Sequence, residues 1–194
     1  MHITTRIGVA AKERDVAVKW IKRCLREITR KEHELPVDYA TARSDITVTL
    51  KQAGHRSSAC AKGVNIDLAA YLRQSSALSE YPAFARDRVI GSRANLTPEL
   101  VLAATIAHEI SHFIQYRYGP NTRWLMNRYR KPHGEGFQDI YRILRSQVVN
   151  PHFTHRKENQ ASTTIIRRAV RSTLSGNNFS HSVRKIPRIQ KYGF

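Results

Sequence analysis

From Thr97 to Gly119 the chain reads as one helix, and midway along it His108, Glu109 and His112 spell H-E-x-x-H within Ala107-His-Glu-Ile-Ser-His-Phe113. Thr97 offers a hydroxyl N-cap, Pro98 sits at the first helical position where its missing N–H costs nothing, and Glu99 places an acid in the first turn. No glycine or proline follows until Gly119-Pro120, a stop signal. Ala103, Ile106, Ile110 and Phe113 recur at helical spacing as the buried stripe, which leaves His108 and His112 together on a neighbouring flank. Two imidazoles one turn apart suit a single zinc ion. Glu109, about one helical step from the first of them, is placed to take a proton from a water at the metal without binding the metal itself. The pattern points to zinc-dependent hydrolysis.

A catalytic zinc keeps three protein ligands and one open position, so a third ligand is expected downstream, with one zinc per chain. His133 is the best placed. It stands in Pro132-His-Gly-Glu-Gly-Phe137, where Gly134 and Gly136 free the backbone and Phe137, Ile140, Tyr141 and Leu144 open a second amphipathic helix. Glu135 is the rival. The metzincin extension requires Gly three and His six positions after the second histidine, and Gln115 and Tyr118 stand there instead.

H-E-x-x-H followed, after a loop, by H-G-x-x-F and an amphipathic helix resembles the SprT-like metallopeptidases, which include the Spartan proteases of DNA–protein crosslink repair. The resemblance implies His108, His112 and His133 as zinc ligands and Glu109 as general base. It also implies a helix and then a short sheet ahead of the metal helix, which Ile46–Leu50, Gly54 and Val64–Leu68 would supply, so that it covers about residues 11 to 147. The loop between His112 and His133 is longer than in that family. With Cys24 and Cys60 the only cysteines, the C-terminal zinc ribbon of some relatives is excluded.

The formal net charge is +18 and the sequence pI about 10.6, so the chain attracts polyanions, of which nucleic acid is the obvious one. The bland alternative is a basic surface that serves solubility or an acidic protein partner. Two cysteines far apart in sequence read as reduced core thiols, pointing to a reducing compartment. No stretch has the run of apolar residues of a membrane span, and Met1–Arg6 lacks the apolar core of a signal peptide. The expected location is cytoplasmic, with nucleoid association open.

Along the chain, residues 11 to 32 carry Ala17, Trp20, Ile21, Cys24, Leu25 and Ile28 on one face and Lys19, Lys22, Arg23, Arg26 and Arg30 on the others, the mark of a core helix with a basic outer surface. Segments 46–50 and 64–68 alternate as half-buried strands, and the residues between form either a hairpin loop or a third short strand near Ala59–Ala61. Residues 71–96 read as a lid over the metal cleft or as an irregular surface insertion.

The stretch from Tyr116 to Lys131 interleaves Tyr116, Tyr118, Trp124 and Tyr129 with Arg117, Arg123, Arg128, Arg130 and Lys131. Aromatic faces can stack unpaired bases while the cations hold phosphates, which marks Arg117, Arg123, Trp124, Arg128, Tyr129, Arg130 and Lys131 as candidate nucleic-acid contacts. The structural alternative packs Trp124, Leu125, Met126 and Tyr129 as a short helix. Tyr116, Tyr118 or an arginine of this loop would also serve as an oxyanion donor, and no spacing singles one out. Residues 151–194 hold nine Lys or Arg and one acid, Glu158, and read as a weakly structured basic tail, with one amphipathic helix open at Ile165–Val170 and His152 with His155 as a polar pair at its root.

The expected architecture is therefore α+β: a zincin-like minimal metallopeptidase core over 1–150 (helix, small β-sheet, H-E-x-x-H helix, third-ligand helix) and a basic C-terminal extension over 151–194. The expected activity is that of a zinc-dependent endopeptidase acting on DNA-bound or DNA-crosslinked protein, with single-stranded and duplex DNA both open as partners and no membrane. The alternatives are a nucleic-acid-binding protein with a structural or idle zinc site, and a general peptidase not linked to DNA.

Overall fold

Helix α1, Ala11–Ile28, buries Ala17, Trp20, Ile21, Cys24, Leu25 and Ile28, the stripe expected from its spacing, and turns Lys12, Arg14, Lys19 and Arg26 outward. Glu13 accepts the Ala10 N–H at 2.7 Å and so satisfies one of the orphan donors at the helix start. The helix ends four residues before the expected limit. The Thr29 hydroxyl donates to the Leu25 carbonyl at 2.8 Å, and Lys31–His33 tighten into a 3-10 turn closed by Glu34 at φ 54. The computed structural model describes residues 1–6, 8–35, 37–52, 56–118 and 131–153, all within a compact unit, Met1–His155. Gly54, Gly119 and Pro120 lie outside the described residues, as do Arg123, Trp124, Arg128, Tyr129 and Arg130, His155, and the tail from Thr154 on with its Ile165–Val170 segment.

The sheet has four strands: β1 (His2–Thr5), β2 (Thr47–Lys51), β3 (Ser58–Cys60) and β4 (Gly63–Asp67), in the order β1-β2-β4-β3. β1, β2 and β4 run parallel and β3 antiparallel to β4, so the sheet is mixed and the fold α+β. The two expected strands are present, each displaced by one residue, and the segment between them does contain the third. β1 has no signal of its own. It carries one apolar side chain, Ile3, and its place comes from its register with β2, where Ile3 faces Val48. Gly63 is required at the start of β4, because a Cβ there would lie 1.9 Å from the Thr47 carbonyl oxygen.

Val48, Leu50, Val64 and Ile66 belong to the core with the stripe of α1 and with α4, Pro98–Tyr118. α4 touches α1, a short α3 (Ala69–Leu72), α5 (Glu135–Leu144), β3 and β4, and so it is buried on most of its circumference. A short α2, Tyr39–Asp45, is capped by Asp38, whose carboxylate accepts the Thr41 N–H at 2.8 Å. Past α5 the chain enters a π-helical turn, Arg145–Val149, and stays helical through Phe153. Among the described residues no helix is long and apolar enough to cross a membrane.

Residues 71–96 are irregular but pinned. Leu78 and Arg93 exchange backbone hydrogen bonds at 2.8 and 3.0 Å, while Leu78, Phe84, Ile90 and Leu96 enter the core. Asp87 accepts from Arg142 of α5 at 3.0 Å. The cysteine expectation needs correction. Both thiols are free and Cys24 is a core group, but Cys60 is exposed on β3, because a three-residue edge strand has little to bury it under.

Candidate metal centre

α4 presents His108 and His112 one turn apart, and the turn before α5 brings His133 against both. The Nε2 atom of His133 lies 3.2 Å from that of His112 and 3.2 Å from that of His108. With each ring protonated on Nδ1 the three facing nitrogens offer one another only lone pairs, whereas a tetrahedral zinc with bonds of about 2.05 Å sets its nitrogen ligands about 3.3 Å apart. The spacing fits such an ion. Charge agrees: burial, reinforced by His108 and His133, pushes the His112 imidazole down to about 3, and burial with His108 lowers His133. Both are neutral lone-pair donors at pH 7, as a metal requires. Glu135 is not part of the cluster. It occupies the first turn of α5, where a carboxylate favours the helix dipole.

Aromatic rings fix the imidazoles. Phe137, fully buried, stacks on His112 at 4.2 Å and meets His108 and His133 edge-on at 4.9 and 5.0 Å, so the phenylalanine of H-G-x-x-F is the floor under all three. Tyr81 stacks on His133 at 4.5 Å from the solvent side. The glycines act otherwise than expected. Gly134 caps α5 with an ordinary extended φ of −74, and Gly136 is a buried helical residue, so neither uses the left-handed region. The backbone simply enters α5 directly after His133.

The cluster opens on a cleft of about 730 Å³ lined by Ser57 and by Ser58 and Ala59 of β3, by Glu80 and Tyr81, and by Thr105, His108, Glu109, His112 and Tyr116 of α4. Glu109 is 6 % exposed, and burial pushes its carboxyl up to about 7, with His108 opposing and Glu80 adding to the rise. A carboxyl poised there exchanges protons readily at neutral pH.

The oxyanion candidates among the described residues separate, while the loop arginines Arg123, Arg128 and Arg130 lie outside them. Tyr118 and Arg117 both turn to Asp45, with the phenol and guanidinium at 3.1 Å from its carboxylate. Tyr116 stays in the cleft, its ring parallel to His112 at 5.7 Å, and burial and the Glu109 charge hold its phenol protonated. Among the candidate nucleic-acid contacts, Arg117 is thus engaged with Asp45. Lys131 is exposed at the loop's end.

Glu80 and Arg145 escaped the sequence reading. Glu80 Oε2 lies 3.4 Å from His108 Nδ1, while Oε1 accepts from the Tyr141 hydroxyl and from Arg145 Nη1 at 3.1 Å. Glu80 sits in the aperiodic 71–96 segment and left no signal. Arg145 left one: it falls four residues after Tyr141 on the buried face of its helix, where an unpaired charge would be untenable. Trp20, by contrast, is core as expected, donating to Glu99 at 3.0 Å beneath the Arg23 guanidinium and against His152. Comparison with protein-family models, curated proteins and solved structures finds no match.

Proposed function

We propose that this chain is a zinc-dependent endopeptidase of SprT-like, zincin type, holding one zinc through His108, His112 and His133 and cleaving protein held on DNA. The observation that carries the reading is the convergence of three imidazole nitrogens beside a buried carboxyl, Glu109, on one open cleft. The order of a helix, a small sheet, the H-E-x-x-H helix and a ligand-bearing turn before a further helix agrees with it. A bound zinc supplies Lewis acidity, which makes water nucleophilic at neutral pH and polarises a carbonyl.

Glu109 takes the proton of the attacking water and passes it to the leaving amine. Tyr116 donates from the cleft wall to the oxygen on which charge develops. β3 lies at the end of the sheet order and beside the cleft, so an extended peptide can add along it as a further strand, with its scissile bond near Glu109. The charge of +18 supports DNA as the partner that concentrates substrate, and a cytoplasmic or nucleoid setting follows from that. A structural zinc site has no use for a buried carboxyl poised as a base, which counts against an idle centre.

The test is metal analysis together with cleavage of a DNA-bound protein, with and without DNA. The expected result is about one zinc per chain and cleavage that rises with DNA. Glu109→Gln should keep the zinc and lose the cleavage, since an amide cannot accept the water's proton. Wild-type cleavage by that variant overturns the role of Glu109.

A further inference from the structure

We infer that Glu80 is the positioning residue of this centre: its carboxylate sets the tautomer and ring orientation of His108, and buried Tyr141 and Arg145 hold that carboxylate in place. The inference rests on the metal reading above. A histidine that binds a metal through Nε2 keeps its proton on Nδ1 and must hand it to an acceptor. His108 has its Nε2 3.2 Å from that of His133 and its Nδ1 3.4 Å from Glu80 Oε2, an ion-pair separation at the long end of hydrogen-bond reach.

The two oxygens of Glu80 are divided. Oε1 takes the Tyr141 hydroxyl and Arg145 Nη1, which leaves Oε2 for the imidazole. Arg145 is fully buried and held in turn: its Nε donates to Asn150 Oδ1 at 3.0 Å, its Nη1 to the Tyr141 hydroxyl at 2.9 Å, and its guanidinium lies over the Tyr141 and Phe153 rings. The Arg145–Val149 turn is π-helical and closes with the Asn150 N–H on the Arg145 carbonyl at 2.7 Å. Single π-helical turns recur at functional sites.

A buried ion pair is a poor way to stabilise a fold, because apolar residues of similar volume often do as well or better. This pair does something apolar residues would not: its remaining oxygen addresses a metal-ligating ring. The acceptor comes from the 71–96 segment and its anchor from the chain beyond α5. Both must dock on α4 before His108 is oriented.

The experiment compares wild type with Glu80→Met/Arg145→Met, which removes both charges together and strands neither in the core. Zinc affinity is read by chelator competition, and the His108 tautomer by ¹⁵N NMR of metal-free protein. We expect zinc binding about 10- to 100-fold weaker in the double variant. Metal-free wild type should hold His108 as the Nδ1–H tautomer and the variant should lose that preference. A folded variant whose zinc affinity stays within about twofold of wild type overturns the inference and leaves the metal reading standing. Wild type with His108 protonated on Nε2 overturns it without needing any variant to fold. Wild type that takes up no zinc removes the metal reading and the inference together.

Discussion

Glu109 carries the chemistry proposed for the chain and also a cost in stability that pH exposes. Its carboxyl is raised by burial to about 7, above the ordinary 4.5, so the folded state favours the protonated form. Its contribution is fully present below about pH 4.5 and is lost as pH rises through about 7. In metal-free protein, Glu109→Gln should therefore match wild type near pH 4 and exceed it by about 1 to 3 kcal/mol near pH 8, as read by urea unfolding at the two pH values. A gap that does not widen with pH would mean that Glu109 is not desolvated. The third ligand is tested at the same scale. His133→Ala should strip zinc retention while Glu135→Ala leaves it intact, because His133 meets both other rings at 3.2 Å and Glu135 lies outside the cluster. The reverse pattern in metal analysis would transfer the ligand role to Glu135.

At the scale of elements, two joints position the site. The first is the close approach of β4 to β2 at Gly63. Gly63→Ala drives a methyl into the Thr47 carbonyl, and since that neighbour is backbone the strands must part; a loss of about 3 kcal/mol is expected in denaturant unfolding. A loss below about 1 kcal/mol would show that the strands yield easily. The second joint ties the 71–96 segment to α5. Asp87 accepts the N–H groups of Ile90 and Val89 and a hydrogen bond from Arg142, and these hold its carboxyl down at about 2. A depressed acid stabilises above its unfolded value near 3.8 and loses that contribution as pH falls through about 2. With its side chain 23 % exposed, about 1 to 2 kcal/mol remains after screening. Asp87→Asn should flatten the acid limb of the stability profile by that amount, and an unchanged limb would remove Asp87 from the tie.

For the whole molecule the open quantity is charge. All nine Lys and Arg of the C-terminal segment lie beyond His155, so a chain ending there keeps the folded unit, including the packing of Phe153 on Arg145 and of His152 on Trp20, and sheds a formal +8. If these cations meet phosphates, truncation should weaken single-stranded and duplex DNA alike and lower the slope of log affinity against log salt by about 0.7 to 0.9 for each phosphate no longer neutralised. Trp124→Ala should instead weaken single strands more than duplex, since unpaired bases alone stack freely. Wild type without DNA affinity at low salt would end the DNA-bound substrate reading and leave a peptidase with another anionic partner.

What the sequence determined by itself is whatever periodicity and short spacing encode. The buried stripe of α1, the cap and length of α4, the pairing of His108 with His112 and the phase of Phe137, Ile140, Tyr141 and Leu144 are local consequences of helical geometry. The strands β2 and β4 follow from alternation in the same way. Tertiary structure alone decided the rest, because those features depend on partners far away in sequence. β1 is a strand through its register with β2. Tyr116 follows His108 and His112 at the same four-residue spacing and so shares their face of α4, whereas the capture of Tyr118 by Asp45, 73 residues before it, is tertiary. Glu80 reaches His108 only once an aperiodic segment has packed on the core, and Arg145 can remain buried there because Glu80 arrives. Neither charge is tolerable without the other, and no pattern along the chain connects positions 65 residues apart.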